Sequence, residues 1–364
     1  MAHDALFKPL EIGAITVPNR VLMAPLTRNR AQADGTPNEI AGLYYAQRAS
    51  AGLIISEATQ ISAQGKGYKD TPGIYTPGHV AAWSQIVNRV HAAGGRIVMQ
   101  LWHVGRISHT SLQPDGGKPV APSAITAKSK TYVEEGFVET SEPRALETSE
   151  LAGIVEDYRH AAKCAKDAGF DGVEIHAANG YLLHQFISDS TNQRTDSYGG
   201  SIHNRIRLTL EVVRAVNQVW PSDRIGIRLT PTQRSNDCLD SDPEATFGAL
   251  LDELGMLNLA YVHFVEKFPG AQQDDAEKAV LKRLRDKVRS RYIGNGDYSV
   301  EEAEARVSSG AVDAVAFGRA FIANPDLPER FRTDAGLNTP DTATFYGGGN
   351  QGYVDYPFLE RETA

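Results

Sequence analysis

The chain has 364 residues with 41% apolar content, enough to bury a full core, and one barrel with excursions explains that length as simply as two domains would, so residues 1–364 are read as one domain. A formal charge of −8, a pI near 5.7 and the lack of any basic run leave little field to attract nucleic acid or an anionic membrane, so any phosphate must be held by a local site. Two cysteines, Cys164 and Cys238, can build neither a disulfide framework nor a multi-cysteine metal cluster. With no HExxH, EF-hand or P-loop pattern present, metal catalysis has no obvious set of ligands.

The first residues, Met1-Ala2-His3-Asp4-Ala5-Leu6, have neither a basic start nor an apolar stretch of signal-peptide length, and nothing downstream approaches a membrane span. The expectation is a cytoplasmic protein that needs no obligate protein partner. Residues Leu6 to Val17 read as a hairpin closing the floor of whatever follows. From there the chain alternates short apolar runs with longer amphipathic ones. The strand candidates are Val21 to Leu26, Leu53 to Ala58, Arg96 to Trp102, Gly172 to His176, Ile225 to Leu229, Tyr261 to Val265, Tyr292 to Asn295 and Ala314 to Gly318. The helical patterns are Asn38 to Ser50, Gly78 to Ala93, Ser149 to Ala168, Ile202 to Val219, Pro243 to Leu254, Asp275 to Ser290, Val300 to Ser308 and Pro325 to Arg332. Thr148 and Ser149 are expected to cap the third helix, and Gly169 and Gly310 to stop helices before strands four and eight. Eight such units predict an α/β fold, a (β/α)₈ TIM barrel. Residues 104–147, rich in Gly, Pro, Ser and Thr, exceed an ordinary connection and are expected to cover the barrel mouth. The run Gly347-Gly348-Gly349 reads as a flexible tail turn.

In such a barrel the carboxyl ends of the strands face the active site, and here they are polar. Strand four ends in His176, with Asn179 and Tyr181 just beyond, a set able to hold one substrate oxygen and supply a proton; alternatively it only ties down a loop. Strands one, two and three end in Pro25-Leu26-Thr27, Glu57-Ala58-Thr59 and Gln100-Leu101-Trp102-His103. On strand five the parity that sends Ile225 and Ile227 toward the helices sends Arg228 inward, where a buried guanidinium needs a carboxylate or a polar cofactor. Strands seven and eight end in Gly294-Asn295-Gly296-Asp297 and Phe317-Gly318-Arg319, the place where barrels of this kind bind phosphate on backbone amides, here with a forked cation added.

These residues, in this order, resemble the Old Yellow Enzyme family of FMN-dependent ene-reductases, and within it the bacterial N-ethylmaleimide and nitrate-ester (glycerol trinitrate) reductases. The resemblance runs through Pro18-Asn19-Arg20, Met23 to Arg28, Gly52 to Ser62, Gln100 to His103 with Gly105-Arg106, His176 to Phe186, Asn192 to Arg194, Asp196 to Ser201, Phe317 to Arg319, Asn324 to Leu327 and Phe345 to Gly349. It implies that Thr27 bonds the flavin carbonyl beside N5. Pro25, Leu26, Ala58 and Gln100 would line the isoalloxazine, and Arg228 would sit at its N1 and O2 edge. Asn295, Gly296, Gly318 and Arg319 would hold the FMN phosphate. His176 and Asn179 would clasp the carbonyl or nitro oxygen of an electrophilic alkene or nitro compound, Tyr181 would give the proton, and Tyr68, Trp102 and Tyr346 would wall the pocket. NADPH or NADH would be the reductant.

Departures from the family pattern fall at Asp189 and His203, both expected away from the flavin, and in the loop Thr232 to Asp242, expected to line one side of the pocket. Two cysteines exclude the iron–sulfur dienoyl-CoA reductase type. Two rival readings are a barrel lyase or isomerase acting on a phosphorylated small molecule, with His176 as base, and a flavin protein without turnover.

Overall fold

The computed structural model describes residues 3–360. Eight parallel strands, β1 Val21–Met23, β2 Ile54–Ile55, β3 Ile97–Trp102, β4 Gly172–Ala177, β5 Ile225–Leu229, β6 Tyr261–Val265, β7 Arg291–Asn295 and β8 Ala314–Phe317, follow one another around a ring. Each pairs with the next, and β8 pairs with β1, so the sheet closes as a (β/α)₈ barrel. Around it lie α1 Ile40–Gln47, α2 Pro77–Ala92, α3 Leu151–Asp167, α4 Arg207–Asn217, α5 Pro243–Leu254, α6 Asp275–Lys287, α7 Val300–Ser308 and α8 Leu327–Thr333. Among the described residues no helix is long and apolar enough to cross a membrane.

Period two divides each strand between two cores. Val173, Ile175, Ile225, Ile227, Val262 and Phe264 join the helix layer in one large apolar cluster. The inward residues Leu22, Ile55, Val98, Ile293 and Ala316 instead pack with Leu10, Ile12, Ile15 and Val17, the hairpin that plugs the barrel floor. Each of its buried aliphatic side chains contributes roughly 2 kcal/mol. Its turn places Gly13 at φ +58° so close to Asp223 that a Cβ would meet the Asp223 carbonyl at 2.0 Å.

Four expected strand ends move, and the one at β4 lengthens by a residue, from His176 to Ala177. β1 stops at Met23, because Pro25 has no N–H to continue a ladder. Strand two breaks into Ile54–Ile55 and Thr59–Gln60, because Ser56 and Thr59 hydroxyls both donate to the Glu57 carbonyl while Gln100 N–H donates to Ser56 Oγ. β8 stops one residue short of Gly318. The fourth helical pattern divides at Ile206 into Ile202–Arg205 and α4. Short helical turns at Leu182–Ile187 and Arg319–Ala323, unforeseen in the sequence, follow strands four and eight.

The entry to α3 is capped differently from the expectation. Glu147 and Glu150 form a reciprocal capping box, and Arg144 binds Glu150 through both Nη atoms at 2.7 Å. Thr148 is unavailable because its hydroxyl donates to Asp196. Gly169 and Gly310 do end α3 and α7, at φ +91° and +75°. Capping boxes at Asp274–Glu277 and Ser299–Glu302 start α6 and α7.

Within residues 104–147, Lys130–Val133 and Gly136–Glu139 form an antiparallel hairpin, and Val120–Ala121 pairs with Arg144–Ala145. Arg106 donates to the Ile125, Asn236 and Asp237 carbonyls, tying this excursion to the loop after β5. The triglycine turn is held rather than loose: Gly347 N–H donates to the Arg28 carbonyl, and Arg30 Nε donates to the Gly349 carbonyl.

Candidate active site

A cavity of about 520 Å³ opens at the carboxyl ends of the strands. Of the residues singled out in the sequence, Pro25, Leu26, Thr27, Tyr68, Asn179, Tyr181, Arg228, Asn295, Gly318, Arg319 and Tyr346 line it. His176, Ala58, Gln100, Trp102 and Gly296 stand behind that lining. Trp102 stacks on Tyr68 at 5.7 Å and meets Tyr181 edge-on at 5.0 Å, with Ala58 in the same apolar cluster. Gly296 backs onto Tyr298, whose ring a Cβ would meet at 2.8 Å.

The wall after β4 is built so that its side chains present donors. His176 Nδ1 accepts the Ala178 N–H at 3.3 Å, which puts the ring proton on Nε2. Burial, aided by the Arg228 cation, pushes this imidazole well below the usual histidine range, so it stays neutral. Asn179 sits at φ +57°, and its Oδ1 accepts from the Thr230 hydroxyl at 2.9 Å, which turns its Nδ2 away as a free donor. Thr230 Oγ1 also accepts the Asn179 N–H at 3.2 Å. The Tyr181 phenol lies 3.2 Å from the Tyr68 phenol, and its ring stands edge-on to His176 at 5.1 Å. Burial raises both phenols above the ordinary tyrosine range, so both keep their protons near neutrality.

The turn itself is over-determined. Gly180, at φ +73°, passes so close to the loop after β5 that a Cβ would meet the Ser235 carbonyl at 2.4 Å. Ser235 Oγ and Asn236 Nδ2 donate to the Asn179 carbonyl, and Asn236 Oδ1 accepts from Ser129 at 2.7 Å. This corrects the expectation for Thr232 to Asp242. The loop supplies no cavity-lining residue; it braces Asn179 from behind through Ser235 and Asn236. Asp189 faces the same loop, accepting from Ser241.

Arg228 and Asn295 form the floor. Arg228 Nη2 donates to Asn295 Oδ1 at 2.9 Å, and Asn295 Nδ2 donates to the Ala316 carbonyl, so the Asn295 amide is held at both ends with one N–H left to donate. Arg228 Nε, Gln100 Oε1 and His263 Nε2 are buried without partners. An unmet polar group of this kind costs about 1–3 kcal/mol, so a cluster mixing donors and acceptors fits a polar planar ligand edge. Arg319 is exposed at the rim and has no carboxylate partner among the described residues, as a phosphate-binding guanidinium would. These features fit FMN. Lys130, Tyr132 and Phe137 of the hairpin, with Lys267, Phe268 and Pro269 after β6, complete the mouth.

Sequence reasoning missed Thr230, although it lies two residues past Arg228 and so on the same inward face. It also missed Asn236, which no local pattern marks.

A family model described as the NADH:flavin oxidoreductase / NADH oxidase family matches residues 5–338. The 12-oxophytodienoate reductase 1 of Oryza sativa subsp. japonica is 45% identical over 361 residues, covering 98% of this chain and 93% of the relative. Among solved structures, morphinone reductase is 53% identical with a TM-score of 0.94, covering 97% of this chain and 96% of that one. It has also been solved in complex with tetrahydroNAD, at 52% identity, a TM-score of 0.91 and 98% coverage of both chains. The old yellow enzyme homologue from Zymomonas mobilis is 43% identical with a TM-score of 0.93, covering 97% and 99%. A phosphosugar lyase or isomerase is thereby set aside. The chain belongs to the NADH:flavin oxidoreductase / NADH oxidase family, that of Old Yellow Enzyme, and is an FMN-dependent oxidoreductase that uses a reduced nicotinamide to reduce activated carbon–carbon double bonds.

Proposed function

We propose that the cavity reduces α,β-unsaturated carbonyls, maleimides and nitroalkenes, and that nitrate esters and nitroaromatics can occupy the same two donors. Pro25, Leu26, Thr27, Ala58, Gln100, Arg228, Asn295, Gly296, Gly318 and Arg319 would hold FMN, which would supply the hydride chemistry between NADPH or NADH and the alkene β-carbon. The rest falls to side chains of this protein.

His176 Nε2–H and Asn179 Nδ2–H bind the activating oxygen. Because both are neutral, their hydrogen bonds strengthen as negative charge builds on that oxygen, and a donor so placed lowers the barrier by about 3 kcal/mol. Tyr181 gives its phenolic proton to the α-carbon and recovers one through Tyr68, its hydrogen-bond neighbour. Tyr68, Trp102 and Tyr346 confine the substrate, and the hairpin of residues 104–147 covers the mouth. The observation that carries this reading is the convergence of Asn179 and Tyr181 on the cavity with His176 edge-on behind them, all three uncharged. Both cysteines are unpaired, in keeping with the reducing cytoplasm as the site of action.

The test is a steady-state panel of 2-cyclohexenone, N-ethylmaleimide, a nitroalkene and glycerol trinitrate with NADPH and with NADH. Turnover of the first three is expected. A yellow protein that oxidises neither nicotinamide in their presence would be a flavin carrier and would overturn the proposal.

A further inference from the structure

Below the cavity floor the barrel interior holds a polar layer that the residue roles above leave unexplained. Glu174 of β4 pairs in register with Gln100 of β3 and Gly226 of β5, and Arg228 pairs with His263 of β6. The Glu174 side chain is fully buried, as is that of His263. One carboxylate oxygen accepts Gln100 Nε2–H at 2.6 Å, and the other lies 2.9 Å from His263 Nδ1. Gly226 makes room for the Tyr261 ring beneath, where a Cβ would meet that ring at 2.1 Å.

An ionised carboxylate can only accept hydrogen bonds, so it dictates how its neighbours are turned. Burial pushes the Glu174 carboxyl up, but His263, the Arg228 cation and the Gln100 amide outweigh it and leave the group below the ordinary carboxylate range. Burial likewise pushes His263 down and keeps it neutral, with its single proton shared toward Glu174. Gln100 must therefore direct its amide oxygen away from Glu174, and His263 a bare Nε2. Those are the two acceptor atoms left buried and unpartnered beside the unpartnered Nε of Arg228. Buried ion pairs add little net stability, so stability alone does not account for an acid here.

We infer that Glu174 is a positioning residue for the flavin: it fixes the His263 tautomer and turns the Gln100 amide so that its single acceptor oxygen, with the Arg228 donors, matches an imide edge, an N–H flanked by carbonyl oxygens. Glu174 also offsets part of the Arg228 charge and so sets how strongly the site favours the more negative, reduced cofactor. The inference rests on the flavin reading and adds to it a residue that touches no cofactor.

Two measurements on holoenzyme test it. Histidine ¹⁵N shifts in the wild type should show His263 protonated on Nδ1 and bare on Nε2; the opposite tautomer overturns the inference, without any variant having to fold. In Glu174→Gln the new amide has to donate to Gln100 or His263 and turns one of them round. The dissociation constant for oxidised FMN should rise about tenfold while that for reduced FMN is held by the unneutralised Arg228, which raises the two-electron potential by about 30 mV. A Glu174 that merely supports the barrel would weaken both forms alike, so an unchanged potential refutes the role. Should wild-type apoprotein itself take up no FMN, the flavin reading fails first, and separately.

Discussion

Replacing Thr230 by valine tests whether the substrate clasp is oriented from behind. Valine keeps the volume of this buried residue and removes only the hydroxyl, which donates to Asn179 Oδ1 at 2.9 Å and accepts the Asn179 N–H at 3.2 Å. Without it the Asn179 amide loses the contact that keeps Nδ2 turned to the cavity, and it presents an oxygen or a nitrogen with similar ease. A net hydrogen bond is worth about 1 kcal/mol and an unmet buried group about 1–3 kcal/mol, so the clasp should weaken by roughly 1.5 kcal/mol, or about tenfold. The assay is titration of the oxidised holoenzyme with a phenol, whose oxygen would engage the same two donors and whose charge-transfer band with the flavin would report occupancy. Phenol affinity and kcat/KM for 2-cyclohexenone should fall together about tenfold, with FMN content unchanged, and Thr230→Ser should restore both. Phenol affinity within twofold of wild type would refute the argument that Thr230 orients Asn179.

Tyr181→Phe should slow alkene reduction by about 10²–10⁴ while sparing reduction of the flavin by the nicotinamide, as stopped-flow traces of the two half-reactions would show; equal losses in both would remove Tyr181 as proton donor. Burial pushes the Glu57 carboxyl up to about 7, so its protonated form stabilises the fold below about pH 4.5 and that contribution is lost as pH rises through 7. Denaturant titrations should accordingly show Glu57→Gln gaining about 2–3 kcal/mol on wild type between pH 5 and pH 8, and a difference flat with pH would contradict an acid whose burial outweighs its contacts with Arg28 and Tyr45. Gly226→Ala should cost about 3 kcal/mol or more through the clash with the Tyr261 ring, measured as a fall in Tm that Tyr261→Val largely reverses.

The barrel was legible because its signals are local and repeated. Parity along Ile225-Gly226-Ile227-Arg228 placed the guanidinium inside, and it is there, on the cavity floor. What stayed hidden depends on partners distant in the chain. The cap of α3 could not be read from Thr148 because Asp196 takes its hydroxyl, and the loop Thr232 to Asp242 could not be placed because its partners are Asn179, Ser129 and Arg106. Strand two broke early because Ser56 and Thr59 redirect the Glu57 carbonyl, a competition between side chain and ladder that an apolar pattern does not encode. Likewise no local pattern marks Glu174, because its partners Gln100 and His263 come from other strands.

The same electrostatics explains why the clasp is neutral. Arg228 and His176 face each other across adjacent strands, in register. The guanidinium is permanent, so its field, added to burial, holds the imidazole uncharged near neutral pH. A cationic His176 would bind an anionic ligand tightly before reaction, stabilising the ground state along with the transition state and gaining little in rate. A neutral Nε2–H beside a neutral Asn179 amide would bind the uncharged carbonyl weakly and the developing oxyanion strongly. Substituting Arg228 by an uncharged residue should therefore do more than loosen the cofactor: with the repelling charge gone, the His176 pKa should rise toward the ordinary range. In a holoenzyme reconstituted with excess FMN, histidine ¹⁵N titration of Arg228→Gln should reveal that rise, and a His176 that titrates as in wild type would show that burial alone keeps it neutral.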